Sequence, residues 1–170
     1  MKYAILFLLF ASTVHAAVVR PAPDVTFPGP AHAQSLRGLR GQPVVLIIAD
    51  SPKAKPLKKQ LVWLRDLYQT FASRKAVFIA AFKNSNGGAV QSNIPFALAN
   101  NPQAVAAAYG VTGDFALIII GKDGNVDYET TKPQTPERIR DVMQNSFEVQ
   151  SSSRRSVSGP TVPPKTPGAQ

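Results

Sequence analysis

Three unbroken apolar runs constrain this chain more than any other feature. They cover residues 44–49, 76–82 and 115–120 and consist of Val, Ile, Leu, Phe and Ala. A strand with one wet face alternates apolar and polar residues. These runs do not alternate, so each is expected to be a strand covered on both faces. The intervening segments must supply the covers. Over residues 56–73, Leu57, Leu61, Leu64, Tyr68 and Phe71 recur at steps of 4, 3, 4 and 3, which is one face of a helix. Lys58, Lys59, Arg65, Asp66 and Gln69 fall on its other faces. Ser51-Pro52 is suited to open this helix, by capping and by Pro at the first position. Residues 83–95, with Asn84-Ser85-Asn86-Gly87-Gly88, are a polar loop. Asn101-Pro102 starts a second helix over 103–109, which Gly110 ends. Lys122-Asp123-Gly124-Asn125 is a tight turn that returns the chain antiparallel over 126–130. Thr135-Pro136-Glu137 caps a last helix, with Ile139, Val142, Met143 and Phe147 on one face. The order is β-α-β-α-β-β-α. The fold class is therefore α/β, a mixed central sheet flanked by helices, in which two βα units give parallel strands by right-handed crossovers.

The ends differ from this middle. Residues 1–16 have the pattern of an export signal. Lys2 gives the positive start, residues 4–11 the apolar core, and Val14-His15-Ala16 the small residues before cleavage at Ala16 or Ala17. A membrane span needs about 20 apolar residues. This core is shorter, and no later segment is long enough. The expected location is periplasmic or secreted. Residues 17–34 form a Pro-rich, irregular N-terminal segment. Residues 149–170 form a Ser/Pro/Gly tail that carries Arg154, Arg155 and Lys165. The tail has too few large apolar residues to offset ordering entropy, so it is expected to be disordered. The domain is then 35–148, long enough to bury a real core.

Composition narrows the chemistry. The chain has no Cys, which removes disulfides, thiol catalysis, Cys-ligated zinc and iron–sulfur clusters. Once the signal is removed, His32 is the one histidine, and a Ser-His-Asp triad would need it held rigidly. Asp123, Asp127 and Glu129 lack regular calcium-loop spacing. No phosphate-binding glycine motif occurs, since Gly38, Gly41 and Gly87-Gly88 are loop glycines. No metal or cofactor is expected. The formal net charge is +9. Lys53, Lys55, Lys58 and Lys59 crowd into seven residues, with no acid among them, at an expected helix N-terminus. Cations there oppose the helix dipole, whereas a bound anion reverses the sign. The cluster therefore reads as a rim for a phosphate, an anionic glycan or an acidic protein surface, or else as a solvated lysine face. Aromatic residues are not interleaved for base stacking, so no specific nucleic-acid partner is expected. Oligomeric state is not legible.

Leu36-Arg37-Gly38-Leu39-Arg40-Gly41-Gln42-Pro43-Val44 resembles the lead-in of exported thioredoxin-like proteins. Tyr109-Gly110-Val111 and Gly121-Lys122-Asp123-Gly124 resemble their second half. The resemblance covers about 35–148 and implies a thioredoxin-like fold. It places the family's two reactive cysteines at Pro52 and Lys55 and its cis-proline at Phe115. Disulfide exchange requires a thiolate, which neither residue supplies. Phe115, with Leu117-Ile118-Ile119-Ile120, Ala49-Asp50-Ser51 and Gln60-Leu61, is also similar to an uncharacterised exported thioredoxin-like domain family. That family is also found in extracellular sushi-repeat and coiled-coil-domain-containing matrix proteins. Only the first Met of its closing motif is present, in Val142-Met143-Gln144. The resemblance implies no enzymatic chemistry. The expected protein is an exported, non-redox binding or scaffolding module. Its contact surface would be Ser51 to Lys59, Thr112 to Phe115 and the 84–94 loop. The candidate ligand-binding residues are Ser51, Lys53, Lys55, Lys58, Lys59 and Phe115, with Phe115 readable as core instead. The alternatives are an enzyme of non-thiol chemistry that uses Lys55 or Asp50 in a pocket, and a structural envelope protein tethered by its tail.

Overall fold

The computed structural model describes residues 20–30, 32–65, 68–73, 75–85 and 89–145. The expected export signal, the basic tail, Asn86-Gly87-Gly88 and Phe147 lie outside the described residues. The elements are, in chain order, β1 (Thr26–Phe27), β2 (Gln34–Ser35), a 3-10 turn (Leu36–Leu39), β3 (Val44–Ala49), α1 (Lys55–Arg65), α2 (Tyr68–Ser73), β4 (Val77–Phe82), β5 (Phe96–Leu98), α3 (Pro102–Ala108), β6 (Phe115–Ile120), β7 (Val126–Thr130) and α4 (Pro136–Gln144).

The three apolar runs are the three inner strands of a five-stranded sheet in the order β5-β4-β3-β6-β7. β3 is parallel to β4, with Val44 opposite Val77 and Ala49 opposite Phe82. It is antiparallel to β6, with Val44 opposite Ile120 and Ala49 opposite Phe115. Every residue of β3 and β6 is buried, as a strand covered on both faces must be. Val45, Ile47 and Ala49 face a layer with Leu57, Leu64, Phe71, Ile139 and Met143 from the helices α1, α2 and α4. Val44, Leu46 and Ile48 face Val105, Ala106 and Tyr109 of the α3 region, together with Leu36, Leu39, Val25 and Phe27. Phe78 sits between Phe71 and Phe96, with ring centroids 5.8 and 5.6 Å away in edge-on geometry.

Local signals account for the boundaries. The Asn101 side chain accepts from the Ala104 N–H at 3.1 Å and starts α3, and Gly110 at φ 68° ends it. Thr135 Oγ1 accepts from the Arg138 N–H at 3.3 Å and starts α4. Gly124 at φ 83° turns the chain between β6 and β7. There the Asp123 carboxylate takes the Asn125 N–H at 3.0 Å.

Three expectations are corrected and one is made specific. First, α1 does not begin at Ser51-Pro52. Ser51 Oγ accepts from the Lys53 N–H at 3.3 Å, a local serine turn, and helical bonding starts with the Lys58 N–H on the Ala54 carbonyl at 3.0 Å. Second, the 83–95 loop leads into β5, which adds in parallel to β4. Third, the parallel pair that the βα units supply is β3 and β4; β6 is the antiparallel member of the mixed sheet, entering opposite the C-terminal end of β3 with Phe115 across from Ala49. Fourth, the Pro-rich stretch is not wholly irregular, nor separate from the core. Val25 and Phe27 alternate inward around an exposed Thr26, and β1 pairs with β2. Backbone bonds tie this arm down: Asn100 N–H to the Thr26 carbonyl at 2.8 Å, Ala22 N–H to Gly124 at 3.0 Å and Val126 N–H to Arg20 at 2.9 Å. The Tyr109 hydroxyl donates to the Pro23 carbonyl at 2.9 Å, and Arg20 pairs with Glu129.

Candidate functional site

The parallel register brings β3 and β4 to an end side by side, at Ala49 and Phe82. The next residues are Asp50 and Lys83, and their side chains meet at 3.1 Å. The Lys83 ammonium also donates to the carbonyls of Thr112, at 3.3 Å, and Gly113. Three acceptors thus match its three N–H bonds. The Asp50 N–H donates to the Asp114 carbonyl at 3.1 Å, and Gln103 Nε2 to the Lys83 carbonyl at 2.7 Å. The loop before β6 is therefore locked to the ends of β3 and β4. Sequence reasoning missed Lys83. Its signal was two adjoining strands, each followed directly by one of two opposite charges.

Phe115 is 0% exposed and packs with Ala49, Leu117 and the α1–α4 layer. It belongs to the core and cannot touch a ligand. This corrects its place among the ligand-binding residues. Deep in an apolar strand, a phenylalanine gains more from burial than it could from a rim contact.

The four lysines do not form one rim. Lys53, in the turn before α1, and Lys58, one turn into it, border an open groove of about 640 Å³. Pro52, Leu61, Val62 and Arg65 complete the α1 wall, and Ala89, Gln91, Ser92 and Asn93 form the opposite one. Lys59 points elsewhere and lies over the Trp63 ring, 4.6 Å from its centroid. Lys55 is exposed and is not among the groove residues. Consecutive helical residues differ by about 100°, so Lys58 and Lys59 had to diverge. Ser51 is half-buried and spends its hydroxyl on the Lys53 turn. The groove also uses Val62, 54% exposed and the one large apolar side chain so open among the described residues. Among the described residues of the 84–94 loop, Ala89, Gln91, Ser92 and Asn93 meet it.

Behind the groove, Gln60 is 0% exposed on the buried side of α1. Its Nε2 donates to the Gln134 carbonyl at 2.9 Å, and its Oε1 accepts the Gln134 N–H at 2.8 Å. One side chain thus pins α1 to the loop before α4. The site holds no group of three or more His, Cys, Asp or Glu able to bind a metal among the described residues, and no helix there is long and apolar enough to cross a membrane.

A five-stranded sheet with one antiparallel hairpin and helices on both faces is the thioredoxin-like fold. Solved structures match it at low identity. A putative thiol:disulfide interchange protein DsbE from Chlorobium tepidum superposes with TM-score 0.59 at 20% identity, covering 74% of this chain and 92% of its own. A putative protein disulfide isomerase from Bacteroides thetaiotaomicron gives 0.59 at 15%, covering 81% and 92%. The 2-Cys peroxiredoxin of Plasmodium vivax gives 0.57 at 15%, covering 79% and 96%. No protein-family model and no curated protein matches the chain. The described domain therefore has a thioredoxin-like fold in a chain without cysteine. It has no thiol with which to carry out disulfide exchange.

Proposed function

We propose that this protein is an exported, non-redox binding or scaffolding module whose basic groove takes an anionic partner. The observation that carries this reading is the groove itself. Lys53 and Lys58 border it; among the described residues no carboxylate lines it and neither lysine has an ion-pair partner. Uncompensated cations around a concave surface attract negative groups and raise their local concentration. Export is supported by the pattern of residues 1–16. The resemblance to the uncharacterised exported family, also found in sushi-repeat and coiled-coil-domain-containing matrix proteins, supports a non-catalytic role. The arrangement that would favour an enzyme, Lys55 buried against a carboxylate, does not occur. The lysine beside Asp50 is Lys83, and all three of its N–H bonds are used structurally.

The test is retention on an anionic matrix at physiological salt, about 0.15 M, where surface charges are already screened beyond about 8 Å. Changing Lys53 and Lys58 together to Gln is expected to release the protein at markedly lower salt. The Lys55 and Lys59 pair changed to Gln is expected to do so much less. Equal losses from both pairs, or none from the first, would reject the groove as the binding site.

A further inference from the structure

We propose that the occupant of this groove is an extended acidic peptide with a large apolar side chain two residues from a carboxylate, bound between α1 and residues 89–93. The inference rests on the anionic-partner reading and goes further, from charge to a class of ligand.

Two observations select a peptide. The first is the backbone of the far wall. Among the described residues, no backbone hydrogen bond uses the N–H or C=O groups of Ala89, Val90, Gln91 or Asn93, and Ser92 contributes only its hydroxyl, to the Ile94 N–H at 3.0 Å. Main-chain donors and acceptors that have no partner among the described residues, in a segment that lines a groove, are what an extended peptide pairs with. Its own backbone then supplies the affinity and its alternate side chains the specificity. A phosphate or a sulfated sugar could use the lysines but has no large apolar group to cover Val62.

The second is the order of side chains on the near wall. Lys58, Val62 and Arg65 line the groove from successive turns of α1, cation, apolar and cation, and Lys53 lines it from the turn before the helix. Lys58 and Val62 lie four helical residues apart, about 6 Å along the axis. In an extended chain, residues i and i+2 share a face and lie about 6.6 Å apart. A carboxylate on Lys58 therefore sets a side chain two positions away onto Val62. A second acid, on the side away from Val62, is offered to Lys53 in the turn before α1. Val62 is 54% exposed, and its neighbour Leu61 is half-buried below it, so an apolar side chain there removes water from both.

The experiment is fluorescence anisotropy with the full chain and labelled peptides. One probe is Glu-Ser-Glu-Ser-Leu-Ser, another the same order reversed, and a control carries Ser in place of Leu. At least one direction is expected to bind several-fold more tightly than the control and to weaken with salt. Val62→Ser should lower affinity for that peptide about 3- to 10-fold and leave the control unchanged. Lys58→Glu should weaken both by more than tenfold. Both positions are exposed, and circular dichroism would verify folding. If a sulfated polysaccharide or inorganic phosphate binds through Lys53 and Lys58 while the peptides do not, or if Val62→Ser changes nothing, the peptide inference is overturned and the anionic reading stands. If no anionic probe binds, both fall.

Discussion

Replacing Gln60 with Leu should cost more than any exposed substitution on α1, although it puts an apolar side chain into an apolar layer. Gln60 makes two hydrogen bonds, at 2.9 and 2.8 Å, to the carbonyl and N–H of one residue, Gln134. Each is worth about 1 kcal/mol net, and a buried polar group left unpaired costs about 1–3 kcal/mol. Gln134 is half-buried, so water can meet part of its need, which favours the lower end for each group. Allowing for the apolar burial that Leu gains, the expected loss is about 2–4 kcal/mol. That is a large share of the roughly 5–15 kcal/mol typical of a domain. Urea unfolding followed by circular dichroism measures it, with Gln69→Ala as the exposed control, expected within about 0.5 kcal/mol of wild type. Gln60→Glu adds a pH signature. Protonated, it can donate to the Gln134 carbonyl and accept its N–H; ionised, it presents a buried charge to that carbonyl. Its folded pKa is then raised above the unfolded value of about 4.3. Its share of stability is full below that pH and is lost as pH rises through the folded value. A Gln60→Leu variant within 0.5 kcal/mol of wild type, or a Gln60→Glu variant that gains stability relative to wild type as pH rises, would refute the pinning role.

Other perturbations probe the rest of the frame. Lys83→Met leaves Asp50 and the carbonyls of Thr112 and Gly113 unserved and should cost about 1–3 kcal/mol in urea unfolding. Asp50→Asn leaves the two carbonyls in place and should cost less. Gly121→Ala should destabilise by about 1–3 kcal/mol, since its Cβ would stand 2.6 Å from Asp127 Oδ2, and a thermal melt will show it. Burial pushes the Tyr109 hydroxyl well above its ordinary value of 10.0. The neutral form is favoured in the folded state, so that contribution is intact below about pH 10 and fades above it. Tyr109→Phe should lose about 1 kcal/mol at neutral pH with the Pro23 bond, and should show a flatter alkaline decline than wild type in pH-dependent unfolding.

The inner strands were legible because two-sided burial leaves no room for polar residues, so β3, β4 and β6 read as unbroken apolar runs. The caps at Asn101 and Thr135, the stop at Gly110 and the turn at Gly124 were legible because each is a local hydrogen bond or a positive φ, set by one residue. β5 was not. It is three residues long, follows Pro95, and owes its extended shape to pairing with Phe78 to Ala80 rather than to any pattern of its own. The arm was masked by its prolines, although Val25 and Phe27 already had strand alternation. Of the site, the lysine cluster was visible as charge, but its division was not, because that depends on where α1 begins. Gln60 could have been found as a polar residue between Leu57 and Leu64, on the buried arc of the helix.

The register of β3 has a kinetic side. Val44 is opposite Val77, 33 residues away, and opposite Ile120, 76 residues away, and Thr26 of the arm closes on Asn100. These pairings of the central strand join distant parts of the chain, and non-local topologies fold slowly because loop closure precedes any gain from burial. The central strand cannot acquire both neighbours until the second half of the domain has been made. The delay is built into the strand order, and with no cysteines the chain has no wrong disulfides to form while it remains open.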